Sequence, residues 1–477
     1  MPPTDAVILQ NFVPTPSNCK MRNGYSQWAT GLVSQVETVM AFAGLTSNKL
    51  LAAAGSSIFD VTAGGAVGAA VQTGLTNARW QYVNYANTSG NYLYMVNGAD
   101  APRYWDGTTW TNAAITGVTP ANLIHINEHK NRLWFVEKST LNAWYLATSA
   151  IAGAATKFDL TGIAMRGGYL MAMSTWTIDA GYGVDDLAVF ITSKGEVIVY
   201  KGTDPAGAST WALVGVWQIG SPVGRRCLVK FAGDLLVTCQ DGLYPMSGAL
   251  QSSRTNPKIA LTDKIQYATS SAISAYGNNF GWQCIQFPKE NLLIQNVPVS
   301  EGANQQQYVM HTISKGWCNF TGWNANCFEI YNDDLYFGAG GYVAKAWDTL
   351  ADNATNIACD GLQAFNYFNS GGILKRFTMM RPIIQTSGSP NIGASLNINF
   401  DVSDTTAPLS FSPTVYATWD SGKWDTAVWG GDLSVSQAWQ GVNGIGYCAA
   451  PRLKTASQGI NVQWVGTDIV YERGAIL

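Results

Sequence analysis

Two histidines flank a glutamate in His125-Ile126-Asn127-Glu128-His129, which spells the inverted zincin string H-x-x-E-H. On a helix, that string would supply two imidazole ligands to zinc and a general base beside them. The surrounding residues speak for a strand. Leu123, His125, Asn127 and His129 alternate with Ile124 and Ile126 at period two, which predicts an ordinary strand carrying two polar edge groups. The chain has 3 histidines in all. The acidic pairs Asp185-Asp186 and Asp333-Asp334 are the next candidates, because oxygen clusters take calcium and paired carboxylates do acid–base work. Both pairs stand at the same place in a repeat described below, so turn chemistry is expected of them, with Asp side chains bonding nearby backbone amides. Arg225-Arg226 reads as a solvated turn rather than a phosphate contact. No Gly-x-Ser-x-Gly elbow is present, and the run Gly338-Ala339-Gly340-Gly341 falls inside a hairpin, so neither a nucleophile nor a phosphate loop can be argued. These residues predict no catalytic, cofactor or metal site, and the chain reads as a non-enzyme.

The elements that must position any site are strands. Of 477 residues, 47% are hydrophobic and 12% charged, with a net charge of −3. Disorder is excluded by that poverty of charge. The 18 Trp, 21 Tyr and 17 Phe suit pleated, half-buried surfaces. Without a basic stripe, sequence-specific DNA recognition through a dominant phosphate contribution is not expected. The 8 cysteines form no C-x-x-C pair and no cluster, and read as reduced core residues. No stretch approaches the ~18 consecutive apolar residues of a membrane span, and Met1-Pro2-Pro3-Thr4-Asp5 has no basic region before an apolar one. A soluble protein made in the cytosol is therefore expected.

Asn-Gly and Asp-Gly steps such as Asn97-Gly98, Asp241-Gly242 and Asp360-Gly361 punctuate short apolar runs as hairpin turns do. Laid against itself, the chain repeats one phrase: a polar Asn or Asp, a Leu, alternating apolar residues, a turn, and a second strand ending in an aromatic. The key leucines fall at 50, 93, 133, 187, 235, 292 and 335, in steps of 43, 40, 54, 48, 57 and 43 residues. A period of ~40–50 is that of propeller blades. A lone four-stranded blade cannot cover both its faces, whereas blades stacked around an axis cover each other. The fold class predicted is all-β, a propeller of six or seven blades over residues 45–358, with a short inserted helix near 262–275 that Thr262 caps. Residues 1–44 and 359–477 should supply a small β platform built from both termini. Its strands include Ala6–Leu9, Ser395–Phe400 and Gly459–Val465. Trp419, Trp424 and Trp429 crowd a turn-rich segment and read as an interface.

Particular strings carry a resemblance. Asn11-Phe12-Val13-Pro14-Thr15-Pro16, Met21-Arg22-Asn23-Gly24-Tyr25 and Val36-Glu37-Thr38-Val39-Met40 stand near the start, and Phe365-Asn366-Tyr367-Phe368, Met380-Arg381-Pro382 and Val470-Tyr471-Glu472-Arg473-Gly474 near the end. Together with the repeats and the Trp-Asp segment, they resemble the tail nozzle proteins of short-tailed phages. That podovirus-type family is also called tail tubular protein B and is related to the packaged-DNA stabilisation tail hubs. The resemblance spans essentially the whole chain. It implies a structural virion protein of the phage tail, assembled in the bacterial host cytoplasm as a homo-hexameric ring below the head-to-tail adaptor. Double-stranded DNA would pass non-specifically along the ring axis, so that the subunit retains the packaged genome and then allows its ejection. Implied partners are the other subunits, the adaptor proteins and a tail fibre or tailspike, with no cofactor and no membrane span. The matching strings add Arg381, Phe365 and Tyr367 to the tryptophans as interface residues. Longer family members carry a gate or tip insertion, for which the step from 235 to 292 is the candidate here.

A second reading competes. Trp and Tyr around a propeller mouth can stack on sugars, and two carboxylates such as Asp186 and Glu196 pointing into the axial pocket could bind or hydrolyse a glycan.

Overall fold

The computed structural model describes residues 5–179, 184–249, 257–409 and 433–474. Several repeats begin with a hairpin that reverses direction within two residues. At Lys130-Asn131, Ala232-Gly233 and Asn332-Asp333 both turn residues have positive φ (51° and 58°, 48° and 78°, 49° and 64°). That is the tight turn whose twist matches the flanking strands, and it accounts for Asn131 before Leu133, whereas Asp186, Asp234 and Asp334 already lie within their strands. The leucine then enters the second strand of its blade: Lys49–Ala54, Gly90–Val96, Arg132–Glu137, Val184–Thr192, Asp234–Cys239, Leu292–Ser300 or Asp334–Gly338. None of the seven leucines is more than 5% exposed.

Among the described residues there are seven blades, over residues 36–60, 81–112, 123–159, 170–218, 228–245, 283–321 and 327–346. Seven separate apolar clusters occupy the seven gaps between adjacent blades. Leu51 and Leu93 share the first gap, Val96 and Leu133 the second, and Trp134 and Phe190 the third. Leu187 and Leu235 fill the next, followed by Leu236 with Leu293 and Leu292 with Leu335. Cys327 and Tyr336 meet Leu50 and Ala52 in the last gap, which closes the ring.

Closure depends on one long strand. Tyr25–Phe42 runs 18 residues; its first half pairs with Gly340–Ala346 as the outer strand of blade seven, and its second half pairs with Lys49–Ala54 as the inner strand of blade one. The propeller therefore begins at residue 25, and the expected start at 45 is corrected. A pattern search keyed on leucines misses this strand because its repeat leucine lies in the next strand along. The Ile357–Gln363 strand, which spans the expected boundary at 358, belongs to the other body.

That body is a two-sheet sandwich built from both ends of the chain. Its first sheet joins Ala6–Gln10 to Ile357–Gln363, Ala449–Ser457 and Ile392–Ile398. The second joins Phe12–Pro14 and Cys19–Met21 to Val462–Arg473 and Lys375–Thr386, with Ser434–Ser436 and Gln440–Gly446 beyond. Phe12, Met21, Ile384, Leu453 and Trp464 fill the space between. Ala6–Gln10 also pairs in parallel with Trp317–Thr321 of blade six, so one nine-stranded sheet crosses from propeller to platform.

The long step after Leu235 holds the Gln266–Tyr276 helix, whose Ala272 and Ile273 pack on Val297 and Tyr308 of blade six. Thr262 does not cap it. Its hydroxyl instead accepts a bond from the Leu243 amide at 3.1 Å, because the residue is wholly buried between the helix and blade five. All eight cysteines are free and, Cys19 excepted, buried.

Candidate functional site

The inner strands of all seven blades line one axial cavity of about 210 Å³, to which they contribute Val39, Gln81, His125, Ser174, Leu228, Gln283 and Phe328. A second cavity of about 350 Å³ is rimmed by Arg79, Asn97, Gly98, Lys138 and the loop 277–282, and shares Gln81, Arg225 and Arg226 with the first. It is the mouth of the axis. The helical insertion thus ends by delivering Phe280 to the rim.

Arg225 and Arg226 depart from the expected solvated turn. Arg226 Nη2 donates to the Glu37 carbonyl at 3.1 Å, the Thr38 hydroxyl at 2.7 Å and the Trp80 carbonyl at 3.0 Å. Arg225 Nη1 donates to the Asn97 carbonyl at 3.2 Å. Burial, with Arg79 adding like charge, draws both guanidinium pKa values below the ordinary arginine value. Gly98 makes room for this arrangement: its φ is +75°, and a Cβ there would lie 2.6 Å from Ile124 Cγ2 and 3.4 Å from Arg225 Nη1. The turn preceding an inner strand points at the axis, which a sequence without blade register does not reveal.

His125 and His129 lie in the Leu123–His129 strand, where a rise of ~3.3 Å per residue separates them by about 13 Å and rules out a shared zinc. Their strand is the edge strand of its blade, as expected, but that edge is the inner one and faces the axis. His125 lines the axial cavity, and burial, together with the Arg225 charge, lowers its pKa to about 4, so the ring is neutral at pH 7. His129 is 1% exposed and its Nδ1 lies 3.0 Å from the Thr175 hydroxyl. The second acidic residues of the two pairs make ion pairs where bonds to backbone amides were expected. Lys130 lies 2.8 Å from Asp186, and Lys289 and Lys345 each lie 2.7 Å from Asp334. Glu196 accepts the Met165 and Arg166 amides at 2.8 and 3.0 Å. Neither Asp186 nor Glu196 lines the axis, and among the described residues no aspartate or glutamate lines either cavity.

The platform presents a different surface. Along the outer face of its second sheet, Arg376 pairs with Ile445 and Glu472, Met379 with Gly441 and Val470, Arg381 with Asp468, and Gln385 with Val435. Ile445, Met379, Val470, Trp439, Val465 and Val435 are each 40–46% exposed. An ordinary surface scatters such side chains singly, whereas here six share one region of the platform. Arg381 stands in this row, 2.5 Å from Asp468 and with its guanidinium carbon 4.9 Å from the centre of the Trp439 ring.

Phe365 and Tyr367 come together elsewhere, beside the first sheet. With Phe400, Val402 and Val7 they line an open cavity of about 610 Å³, with Phe365 and Phe400 ring centres 4.8 Å apart. Phe400 is 60% exposed at φ +65°, and Phe368 sits at φ +49°. Bulky residues rarely hold such backbone angles, and the strain concentrates at functional surfaces. Trp419, Trp424 and Trp429 lie outside the described residues. The sequence reading missed Met379, Val470, Trp439 and Phe400; the strand alternation through 375–386 carries a signal for Met379, and none marks the others.

No protein-family model matches this chain, and no curated protein matches it. Solved structures do. The chain is similar to BBS1N from its complex with ARL6DN, in a lead-soaked crystal, at 11% identity over 69% of this chain and 99% of that one, with a TM-score of 0.43. In a mercury-soaked crystal of the same complex, 44% of this chain covers 64% of that chain, less than two thirds of its length, at 13% identity and a TM-score of 0.31. The β-propeller domain of Cps50 (Swd1) from Myceliophteria thermophila is similar at 12% identity over 70% and 99%, with a TM-score of 0.40. No helix among the described residues is long and apolar enough to cross a membrane.

Glu329, on the inner strand Cys327–Tyr331 of blade seven, gives the propeller a pH signature. Burial pushes its carboxyl pKa up to about 8. The folded state therefore holds a proton that the unfolded chain releases near its ordinary value of 4.5. Stability from this group is full below pH 4.5 and declines as pH rises through 8. Glu329→Gln is expected to remove that component of the decline. Thermal melts at pH 5 and pH 8.5 check it: an unchanged difference between the two pH values for the variant sinks the assignment.

Proposed function

We propose that this protein is a tail nozzle subunit of a short-tailed phage, a structural virion component and not an enzyme. In this reading six copies close a ring below the head-to-tail adaptor and extend the DNA channel. The ring retains the packaged genome until infection and then lets it leave, with a tail fibre or tailspike as further partner.

The observation that carries the reading is the apolar row on the platform's outer sheet. A monomer gains nothing by exposing Ile445, Met379, Val470 and Trp439 side by side, whereas a ring-closing neighbour would cover them. The family-like strings at both ends agree with this, since Arg381 falls in the row. The sheet shared by blade six and the platform would hold the two bodies at one angle, as repeated subunits around an axis require. The competing glycan reading has no comparable support, because among the described residues no aspartate or glutamate lines either axial cavity.

Light scattering and negative-stain imaging of the full chain, alone and mixed with its candidate adaptor, test the proposal. Six-fold rings with an axial hole are expected in at least the mixture. A chain that stays monomeric with the adaptor overturns it.

A further inference from the structure

We propose that the mouth of the propeller axis binds a small polyanion, a molecule bearing at least two phosphate or carboxylate groups, through Arg225, Arg226 and Lys138. This site is separate from the platform interface and stands whether the protein is a monomer or a ring.

The argument begins with charge. Arg79, Lys138, Arg225 and Arg226 line one cavity of about 350 Å³, a size that suits a small ligand. Of the nearby acids, Glu37 lies 2.9 Å from Arg79 and Glu301 also pairs with Arg79, so both are engaged on one flank. Among the described residues no carboxylate makes an ion pair with Arg225, Arg226 or Lys138, and the Glu37 charge that acts on Arg226 is already paired with Arg79. The acceptors that hold the two arginines are neutral: the carbonyls of Glu37, Trp80 and Asn97 and the hydroxyl of Thr38. A partly desolvated guanidinium such as Arg225, with no carboxylate in contact, is costly to keep, and an oxyanion entering the mouth would offset that cost.

Preorganisation is the second observation. The Arg79 and Arg226 guanidinium carbons lie 4.4 and 5.3 Å from the centre of the Phe280 ring, and Glu301 accepts the Phe280 amide at 3.0 Å. The guanidinium of Arg226 is thus fixed before a ligand arrives, which reduces the entropy lost on binding. Deeper in, His125 Nδ1 is buried and has no hydrogen-bond partner among the described residues. The neutral ring lies on the axial cavity that Arg225 also lines, so a polar atom waits behind the charged rim.

Isothermal titration of the full chain at low ionic strength, with inorganic pyrophosphate in one arm and citrate in the other, separates phosphate from carboxylate preference. Sodium chloride at matched ionic strength controls for general screening. Saturable binding of at least one probe is expected, weakened tenfold or more by Arg225→Gln, the loss anticipated for a charge-assisted bond. Lys138→Gln, at an exposed position away from the Arg226 hydrogen bonds, should weaken it as well and keeps the test decisive if Arg225→Gln misfolds. Absence of saturable binding by either probe, or unchanged affinity in the folded variants, overturns the proposal.

Discussion

Replacing Arg22 with methionine is expected to lower stability by about 3–5 kcal/mol, the range for removing one partner of a buried ion pair. Arg22 is 0% exposed and is among the largest fully buried side chains. Its Nη1 and Nη2 meet the two Asp352 carboxylate oxygens at 2.8 and 2.6 Å, Nε donates to Asn11 Oδ1 at 2.9 Å, and the remaining bonds go to the carbonyls of Asn23 and Thr321 at 2.9 and 2.5 Å. Its guanidinium carbon also lies 5.1 Å from the Trp323 ring centre. These partners come from the platform's first strands, from blade six and from the segment after blade seven, so the side chain ties the two bodies together. Lysine cannot replace it, since one ammonium cannot reach this planar set of acceptors. Gly24, two residues on, allows the same close approach: a Cβ there would lie 1.9 Å from the Ala351 carbonyl oxygen. Urea denaturation followed by tryptophan fluorescence measures the effect. Arg22→Met should shift the midpoint strongly, and adding Asp352→Asn should restore part of the loss, because the stranded charge is then gone. A change below about 1 kcal/mol would show that the clamp is not a structural determinant.

The second large effect concerns assembly. Met379 and Val470 are register partners on neighbouring strands, 40% and 43% exposed. Changing both to glutamate should abolish rings while leaving the melting temperature within a few degrees of the parent. Covering the exposed part of each side chain is worth on the order of 1 kcal/mol at ~25 cal/mol per Å², and burying two new carboxylates in every contact costs several kcal/mol more. A closed ring repeats that penalty at each interface. Particle counts by negative stain and mass by light scattering read the outcome; rings of normal yield from the folded double variant would remove this face from the interface.

The leucines from 50 to 335 were legible because each second strand is covered on both faces, and double coverage demands an apolar residue at a fixed place in every blade. Tyr25–Phe42 was not, since its two halves belong to blades at opposite ends of the repeat. Thr262 reads locally as a cap, but its hydroxyl serves the Leu243 amide in the tertiary structure. Arg225 and Arg226 look like a solvated turn in one dimension, and only the radial arrangement of seven inner strands turns that loop toward the axis. Arg381 could be singled out, and strand alternation marks Met379, but their neighbours Val470 and Trp439 on the same face could not be found. Surface adjacency across strands is a matter of register, and register leaves no mark in a single strand.

The closing strand also has a consequence for biosynthesis. Residues 25–35 leave the ribosome more than 300 residues ahead of Gly340–Ala346, the strand with which they pair. The platform waits longer, since Cys19–Met21 needs Val462–Arg473. Nascent chains cut short of residue 346 should be digested throughout by protease, whereas chains that reach residue 474 should resist. The apolar row on the platform thus forms only after Val462–Arg473 has been translated, so a shorter polypeptide lacks the face through which the proposed ring would close.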